Sequence, residues 1–495
     1  ARVAGKAIHV PPDADAATME RLRAELEQAL DDVTRHAYAL AGADVARIAV
    51  DDPAASDMPP SPVGWRLATY AQAMSAARRA VPLLLRRRER QGKEDPRRRA
   101  ERLGIASMSR PDGPLIWFHA ASVGETNAVL PVINALLAKR GDAHVLLTSG
   151  TITSAALAAR RLPARAFHQY VPVDVPQYVR SFLGHWRPDL AVFTESEIWP
   201  NLILESHASG VPLALVNARL SSRSFKRWKR SMDLSRPLFS RFGLVLAQNE
   251  RLARRFAELG ARQVRPVGNL KIDAPPPPVD PVQFAALAAA IAGRPLVVAA
   301  STHDGEEMVI AETHRILARE FDRLVTIIAP RHPERGTGLA EALKARGLTV
   351  TQRSLGALPD PRTEIYIADT IGELGTFYAL TPVAFVGGSL VDRGGQNPIE
   401  AVRHGAAVIT GPSFRNFADE YAALFKRGGA IEVHDAVEIA AAIRRLAHDP
   451  AGLEQMRSGA QAALATLAGA LDATTESLAE MLPTATGGEG LLRAS

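Results

Sequence analysis

From residue 114 onward, short apolar runs alternate with polar or amphipathic stretches that are long enough to form helices. Five runs of strand length come first: LIWFHA, HVLLTSG, DLAVFTES, PLALVNA and GLVLAQN. Connections of helical length between such runs are typical of parallel strands. The pattern therefore predicts an α/β domain built on a doubly wound parallel sheet.

The same alternation begins again after a proline-rich break at residues 274–281, where four consecutive prolines form a stiff linker. The later runs are PLVVAAST, RLVTIIAPR, EIYIAD, PVAFVGGSL and AAVITGP. We predict two Rossmann-like domains, residues 63–273 and 282–480, that face a cleft, with a flexible tail at 481–495. A helical stretch from about Ala436 either closes the second domain or returns to the first. Without a GxGxxG or P-loop fingerprint, the architecture matches the glycosyltransferase plan called GT-B.

Residues 1–62 differ from the rest of the chain. They contain one amphipathic stretch, ATMERLRAELEQALDDVTRHAYALAG, followed by a linker rich in Pro, Asp and Ser. This part weakly resembles the C-terminal tail of lysophospholipid-acyltransferase-like proteins, but it contains no catalytic motif of that group. We interpret it as an appendage, and the remnant of an upstream acyltransferase-like partner is one explanation for it.

The net charge of +6 is concentrated in one segment. Residues 65–103 contain twelve Lys or Arg and four Asp or Glu. Apolar residues at helical spacing lie beside these arginines, which favours an interfacial helix on an anionic membrane surface over nucleic acid as the partner. A solvated basic helix explains the same pattern equally well. Because no aromatic and basic platform recurs elsewhere, we expect no nucleic-acid partner.

The chain contains no cysteine, which excludes disulfides, thiolate metal sites and cysteine nucleophiles. Its one clear DxD, at residues 13–15, is more simply a helix cap than a metal site. We therefore expect no bound metal and no cofactor.

The first run ends in a polar turn, Ser122-Val123-Gly124-Glu125, that opens the next helix. In open α/β sheets ligands bind at the carboxyl ends of strands, so Glu125 is a candidate general base beside Gly124, where a substrate can approach closely. Alternatively, Glu125 only complements the helix dipole. A helix N-terminus lowers the pKa of a carboxyl group, so a base at this position needs burial to raise it again.

Two further turns in the first half carry candidate residues. One contains Glu195 and Glu197, which point the same way only if the backbone between them is extended. We expect one of them to contact substrate, although Glu197 also fits a structural role at the start of a helix. The other is a basic, hydroxyl-rich loop suited to a phosphorylated amphiphile, with Arg219, Ser222 and Arg223 as candidates.

The second half presents its candidates after strand-like runs. They are Pro330, Arg331, Ile371, Gly372, Glu373, Asn397, Pro398, Ile399 and Glu400. The last four residues fit a capping box, and they also fit a site that binds phosphate at a helix start with Glu400 on ribose hydroxyls. Lys271 and Arg331 are available to neutralise a leaving phosphate without a metal.

Several motifs, taken in order, closely resemble the bacterial Kdo (3-deoxy-D-manno-octulosonic acid) transferases. They are HAASVGE, TESEIWPN, NARLSSRS, GNLKID, ASTHDGEE, APRHPER, DTIGELGTFY and FVGGSLVDRGGQNPIEA. The resemblance implies an inverting, metal-independent GT-B enzyme with CMP-Kdo as donor and a bisphosphorylated, acylated glucosamine disaccharide as acceptor, a precursor of lipid A. It also implies a peripheral protein on the cytoplasmic face of the bacterial inner membrane.

The resemblance also assigns roles to residues. Glu125 corresponds to the general base, and one of Glu195 and Glu197 stabilises the transition state together with Lys271. The CMP site comprises Pro330, Arg331, Ile371 to Glu373 and Asn397 to Glu400, while Ser122, Gly124, Arg219, Ser222 and Arg223 are expected near the acceptor. Two other hypotheses stay open at this point: a GT-B transferase or epimerase that uses a UDP-sugar, and a non-enzymatic membrane-binding or nucleic-acid-binding module.

Overall fold

The computed structural model describes residues 59–482, which divide into two compact units with separate cores. The first unit comprises the described residues up to Lys271 together with those from Ala470, and the second runs from Ile272 to Gly469. The predicted amphipathic helix near the N-terminus and the predicted tail at 483–495 lie outside the described residues.

The first unit begins with two helices and a 3₁₀ segment, and strands and helices then alternate. Its helices are α1 (Trp65–Ala77), α2 (Val81–Arg90), α3 (Val123–Lys139), α4 (Ile152–Arg161), α5 (Pro176–Trp186), α6 (Pro200–Ala208), α7 (Ser222–Lys229), α8 (Met232–Phe239) and α9 (Glu250–Glu258). Its strands are β1 (Leu115–His119), β2 (His144–Ser149), β3 (Ala166–Tyr170), β4 (Leu190–Thr194), β5 (Leu213–Ala218), β6 (Leu244–Ala247) and β7 (Val264–Pro266). The 3₁₀ segment is Pro96–Leu103.

These strands form one parallel sheet in the order β3-β2-β1-β4-β5-β6-β7. The central strand β1 is buried along its whole length, as expected for a strand with helices on both faces. Its alternate residues enter different cores, because Trp117 packs on one face of the sheet and Phe118 on the other. The strand order reverses between β1 and β4. The carboxyl ends of these two strands therefore form the topological switch point, where ligands bind in such sheets.

The second unit, after the short helix α10 (Leu270–Asp273), is again an alternation of strands and helices, with a different strand order. Its helices are α11 (Pro281–Ala290), α12 (Glu306–Leu317), α13 (Gly336–Lys344), α14 (Leu374–Ala379), α15 (Ile399–Arg403), α16 (Ala418–Lys426), α17 (Ala436–His448) and α18 (Pro450–Leu467). Its strands are β8 (Leu296–Thr302), β9 (Val325–Pro330), β10 (Val350–Gln352), β11 (Ile365–Ile367), β12 (Val383–Val386), β13 (Ala407–Thr410) and β14 (Ala430–Glu432). They form a parallel sheet in the order β10-β11-β9-β8-β12-β13-β14.

The fold class is therefore as predicted, with two doubly wound parallel sheets in separate Rossmann-like units. All ten apolar runs singled out in the sequence form strands. Four further strands were not predicted, and they are β3, β7, β10 and β14. Each of them lies at an edge of its sheet.

The chain segments at the domain boundary differ from the sequence interpretation. The helix α19 (Ala470–Glu480) buries Ala470 and Leu478 in the core of the first unit. The end of the helical stretch from Ala436 thus returns to the first unit, which was one of its two predicted alternatives, and the second domain ends before the predicted bound at 480. Burial of these apolar side chains is the reason that the chain returns to that unit. The proline-rich stretch lies along the second unit, where the Pro277 carbonyl oxygen is 2.9 Å from His404 Nε2.

The basic segment at residues 65–103 is part of the first unit. Several of its arginines form ion pairs with its own carboxylates, among them Arg88 with Glu94 at 2.7 Å and Arg98 with Glu101 at 2.9 Å. Trp65, Leu83 and Leu84 are exposed beside these arginines, at 76%, 66% and 54%. In the part of the chain that the structure describes, no helix has both the length and the apolarity needed to span a membrane.

Candidate active site

The turn after β1 places Glu125 in the first turn of α3, with its side chain 9% exposed. Its carboxylate accepts hydrogen bonds from the Ala121 backbone N–H at 2.9 Å and from Ser122 Oγ at 2.8 Å. Ser122 Oγ in turn caps the helix by accepting from the Glu125 N–H. Each carboxylate oxygen still has a second lone pair, so the cap interactions leave room for one more donor on each oxygen.

Burial is the largest influence on the pKa of Glu125, and it outweighs the hydrogen bonds at the helix start that lower the pKa. Burial raises the pKa, the hydrogen bond from Ser122 lowers it, and the negative charges of Glu197 and Glu195 raise it further. The net direction is upward from the ordinary glutamate value. A carboxylate whose pKa lies above the ordinary value is a better general base near neutral pH.

The turn after β4 contains Glu195 and Glu197 in different conformations. Glu195 has a left-handed backbone with φ of 55°, and the Glu197 N–H bonds back to the Thr194 carbonyl oxygen. The backbone is therefore a turn and not the extended segment that would point both side chains the same way. The two carboxylates consequently have different partners.

Glu195 pairs with cations. Its Oε1 lies 2.5 Å from Lys271 Nζ, and its Oε2 lies 3.7 Å from Arg219 Nη1. The side chain of Asn217 lies 3.4 Å from Glu195 and also accepts the Leu270 N–H at 3.1 Å, which places the helix that carries Lys271. The structure thus brings the predicted residues Glu195, Lys271 and Arg219 together.

Glu197 faces a different set of groups. Its Oε2 accepts a hydrogen bond from the Trp199 indole N–H at 2.7 Å and lies 3.7 Å from His119 Nε2. Burial raises the pKa of Glu197, but His119 and the Trp199 hydrogen bond outweigh burial, so the pKa lies below the usual value. Glu197 therefore stays ionised and acts on Glu125 as a fixed negative charge.

Asn217 was not predicted as part of the site. It lies in β5 with a left-handed φ of 50°, at a point where the register of the sheet shifts. Glu195 and Asn217 are two of five non-glycine residues with positive φ among residues 59–482. Strained backbone of this kind is often found at functional sites. The Asn in the run PLALVNA was a usable signal, because asparagine tolerates this conformation better than most residues.

The predicted acceptor residues fall into separate places. Ser122 and Gly124 belong to the Glu125 turn, and Arg219 belongs to the Glu195 cluster. A surface cavity of about 490 Å³ on α7 is lined by Ser222, Arg223, Lys226, Arg227 and Arg230. This arrangement makes α7 a strongly cationic face with a serine hydroxyl at its start.

The predicted nucleotide residues of the second unit follow β9, β11 and β12. Arg331 is exposed directly after β9, and the turn after β11 exposes 89% of Ile371 beside Gly372, whose φ is 92°. The carboxylate of Glu373 pairs with Arg353 at 2.6 Å, and hydrogen bonding from Arg353 lowers the pKa of Glu373. Because that carboxylate already has a cationic partner, it is not a free acceptor for a ligand.

Asn397 and Glu400 form a cap that differs from the expected capping box. Asn397 Oδ1 accepts the Ile399 N–H at 3.1 Å, and Asn397 Nδ2 donates to Glu400 Oε1 at 3.3 Å. The Glu400 carboxylate thus meets the Asn397 side chain and not its backbone N–H, because the helix begins at Ile399, two residues after Asn397. Burial raises the pKa of Glu400, while Asn397 and the charge of Arg331 oppose this rise.

Comparison with known structures supports the fold that the two sheets define. A glycosyltransferase from Rickettsia africae matches 76% of this chain and 100% of its own, with a TM-score of 0.53 and 12% identity. The C-terminal CMP-Kdo binding domain of WaaA from Acinetobacter baumannii is 33% identical over 37% of this chain and 96% of its own, with a TM-score of 0.36. The overall fold is that of the GT-B glycosyltransferases.

Comparison with sequences identifies the family. Residues 97–274 match the sequence family described as 3-deoxy-D-manno-octulosonic-acid transferase (kdotransferase). The 3-deoxy-D-manno-octulosonic acid transferase of Bordetella pertussis is 35% identical over 77% of this chain and 91% of its own length. Those of Rickettsia bellii and Haemophilus influenzae are each 34% identical, over 70% and 69% of this chain and 83% and 81% of their own. The chain belongs to the 3-deoxy-D-manno-octulosonic acid transferase family, and it is a glycosyltransferase.

Proposed function

We propose that this enzyme transfers Kdo from CMP-Kdo to a hydroxyl of a bisphosphorylated, acylated glucosamine disaccharide, with inversion and without a metal. The observation that carries the proposal is the carboxylate cluster of the first unit. There Glu125 has a raised pKa and lies within electrostatic reach of the Lys271–Glu195 ion pair. A base beside a fixed cation suits an alcohol that must lose its proton while an anion departs.

In the proposed reaction, Glu125 accepts the proton of the acceptor hydroxyl as the hydroxyl oxygen attacks the anomeric carbon of Kdo. The bond between that carbon and the phosphate oxygen of CMP breaks, and CMP leaves with the bonding electron pair. One displacement at one carbon inverts its configuration. The proton stays on Glu125 until it is released to solvent.

Cationic side chains take the place of a metal in this proposal. Lys271 is held at 2.5 Å from Glu195, so its ammonium group is fixed in position before substrate binds. Arg331 is exposed at the end of β9, where a guanidinium suits the phosphate of the nucleotide. Preorganised charges of this kind stabilise the charge that develops on a leaving phosphate.

The same proposal assigns the lipid acceptor to the cationic surfaces of the first unit. The α7 cavity presents four basic side chains, and guanidinium groups bind phosphate in bidentate geometry. Trp65, Leu83 and Leu84 lie exposed beside the arginines of residues 65–103, a combination suited to peripheral contact with an anionic membrane. We place this contact on the cytoplasmic face of the inner membrane.

The test is a reconstituted reaction with CMP-Kdo and a tetraacylated lipid A precursor, with and without a chelator. We expect CMP release together with a gain in acceptor mass equal to one or more Kdo residues, unchanged by the chelator. Loss of activity with the chelator, restored by a divalent cation, would refute metal independence. Turnover with a UDP-sugar in place of CMP-Kdo would refute the assigned donor.

A further inference from the structure

The carboxyl-end edge of the second sheet contains a group of basic residues that the proposed roles only partly use. The strand order places β8 between β9 and β12. His303, which follows β8, therefore lies between Arg331 after β9 and the loop of residues 387–397 after β12. That loop carries Arg393 and leads directly into Asn397.

Glu306 fixes this loop. Its carboxylate is fully buried and accepts four backbone N–H bonds, from His303 at 2.8 Å, Gly388 at 2.6 Å, and Ser389 and Leu390 at 2.9 Å each. The glycine-rich turn thus has an internal anion where its free amides would otherwise suit a ligand phosphate. Any ligand anion at this edge must find its donors elsewhere.

Three other carboxylates around this edge pair with arginines. Arg335 pairs with Glu307 at 2.7 Å and with Asp304 at 2.8 Å. Arg415 pairs with Asp392, the residue next to Arg393. These three negative charges are therefore already bound to other arginines.

Two guanidinium groups at this edge form no ion pair with the described residues, although the charge of Arg331 acts on Glu400. Arg331 and Arg393 are exposed, and neither has an ion-pair partner among residues 59–482. Both lie near enough to His303 for their charges to lower its pKa, after burial as the larger cause. Unpaired guanidiniums at the ligand-binding edge of a sheet are suited to bind anions.

His303 is oriented so that it can donate a hydrogen bond. The Gln396 side-chain amide N–H donates to His303 Nε2 at 3.1 Å. The proton of the neutral imidazole therefore lies on Nδ1, which has no partner of its own in the described part of the chain. His303 thus adds a neutral N–H donor beside the two guanidiniums.

We propose that Arg393 and His303 bind the carboxylate that the donor sugar carries on its anomeric carbon, while Arg331 contacts the nucleotide phosphate. This inference rests on the proposed function, because an ulosonic acid donor has two anions close together, the phosphate and the carboxylate. Two unpaired arginines and one donor N–H match these two anions. A nucleoside monophosphate donor that carries a neutral sugar has no second anion to occupy Arg393.

The test measures binding of CMP and of freshly prepared CMP-Kdo by calorimetry, without acceptor. We expect Arg393→Gln to weaken CMP-Kdo binding about tenfold and to leave CMP binding within twofold of wild type. His303→Asn should weaken CMP-Kdo selectively by a smaller factor. Arg331→Gln should weaken both ligands. Arg319→Gln, an exposed charge roughly 20 Å away beyond the far end of α12, is the matched control and should change neither.

The outcomes separate this inference from the proposed function. If Arg393→Gln weakens CMP and CMP-Kdo equally, the site binds phosphate and the inference is wrong. If Arg393→Gln changes neither, Arg393 contacts no part of the donor, which also overturns it. If wild-type protein binds CMP no better than UDP, the proposed donor itself fails. Retained CMP binding shows that the Arg393 and His303 variants are folded.

Discussion

Each unit contains one seven-stranded parallel sheet, but the two sheets differ in strand order and in the charged groups at the carboxyl ends of their strands. In the first unit, buried carboxylates dominate, with Glu125 9% and Glu195 8% exposed. In the second unit Asp304, Glu307 and Asp392 pair with arginines and Glu306 binds backbone amides, while Arg331 and Arg393 form no ion pair among residues 59–482. In the proposed function, similar parallel sheets support proton transfer in one unit and anion binding in the other.

The difference in charge arises in the turns that follow the strands. Both units have a left-handed non-glycine residue where a strand ends, Glu195 after β4 and Ser301 near the end of β8. In the first unit this residue is itself a carboxylate, whereas in the second it is a small serine that leads into His303. Side chains grafted onto strand ends therefore decide the chemistry while the strands stay alike.

The largest effect is expected from Glu125→Gln, which keeps the shape of the side chain and removes the base. We expect kcat to fall about 10³-fold, within the range of general-base catalysis. The binding constant for CMP should not change, because the nucleotide residues lie in the other unit. Steady-state rates and calorimetry provide the two measurements. A variant with more than a tenth of wild-type kcat would exclude Glu125 as the base.

A smaller effect is expected from breaking the Lys271–Glu195 pair. Lys271→Met should lower kcat about 10²-fold, since it removes one preorganised cation. Glu195→Gln and the double variant complete a double-mutant cycle, and strong non-additivity is expected because the two groups are in contact at 2.5 Å. Additive losses in kcat would show that the two residues act independently.

Much of the fold could be predicted from the sequence because central strands of a parallel sheet are apolar along their length. The strands β3, β7, β10 and β14 escaped prediction because an edge strand is covered on fewer sides and needs no continuous apolar run. The exposed Glu432 in β14 and the half-buried start of β3 show this directly. The edge position of these strands, and not a low strand propensity, explains why they were not predicted.

The candidate site could be predicted only where residues that are close together in the sequence form it. The turn of Ser122 to Glu125 and the unusual Glu195 to Glu197 segment are visible as short motifs at strand ends. The bonds from Glu306 to residues 388–390 join positions more than 80 apart in the chain. No pattern in a single sequence encodes such a pairing, so the internal anion of the second unit appeared only in the structure.

Glu306→Gln tests how far the second unit depends on this internal anion. The amide keeps one acceptor oxygen but directs an NH₂ group at backbone N–H donors, so we expect the free energy of unfolding to fall by about 2 kcal/mol. Chemical denaturation measures the loss. Glu334→Gln, at an exposed carboxylate near His332, is the matched control and should be close to neutral. Equal stability of both variants would remove the structural role assigned to Glu306.

The smallest effect tests the origin of the raised pKa of Glu125. Only the deprotonated carboxylate accepts a proton, so kcat/KM should fall as the pH decreases through the Glu125 pKa. Glu197 contributes to the rise as a nearby negative charge. Glu197→Gln should therefore lower the Glu125 pKa and move the acid limb of kcat/KM to lower pH, by less than about one unit.

Glu205→Gln is the matched control for this shift. Its carboxylate lies on α6 and pairs with Arg180 at 3.0 Å, and it is not among the charges that act on Glu125. The acid limb of kcat/KM for Glu205→Gln should coincide with that of the wild type. A limb that stays in place in Glu197→Gln would assign the raised pKa to burial and the charge of Glu195. A limb that moves to higher pH would contradict the arrangement of charges, since loss of a neighbouring negative charge can only make the carboxyl a stronger acid.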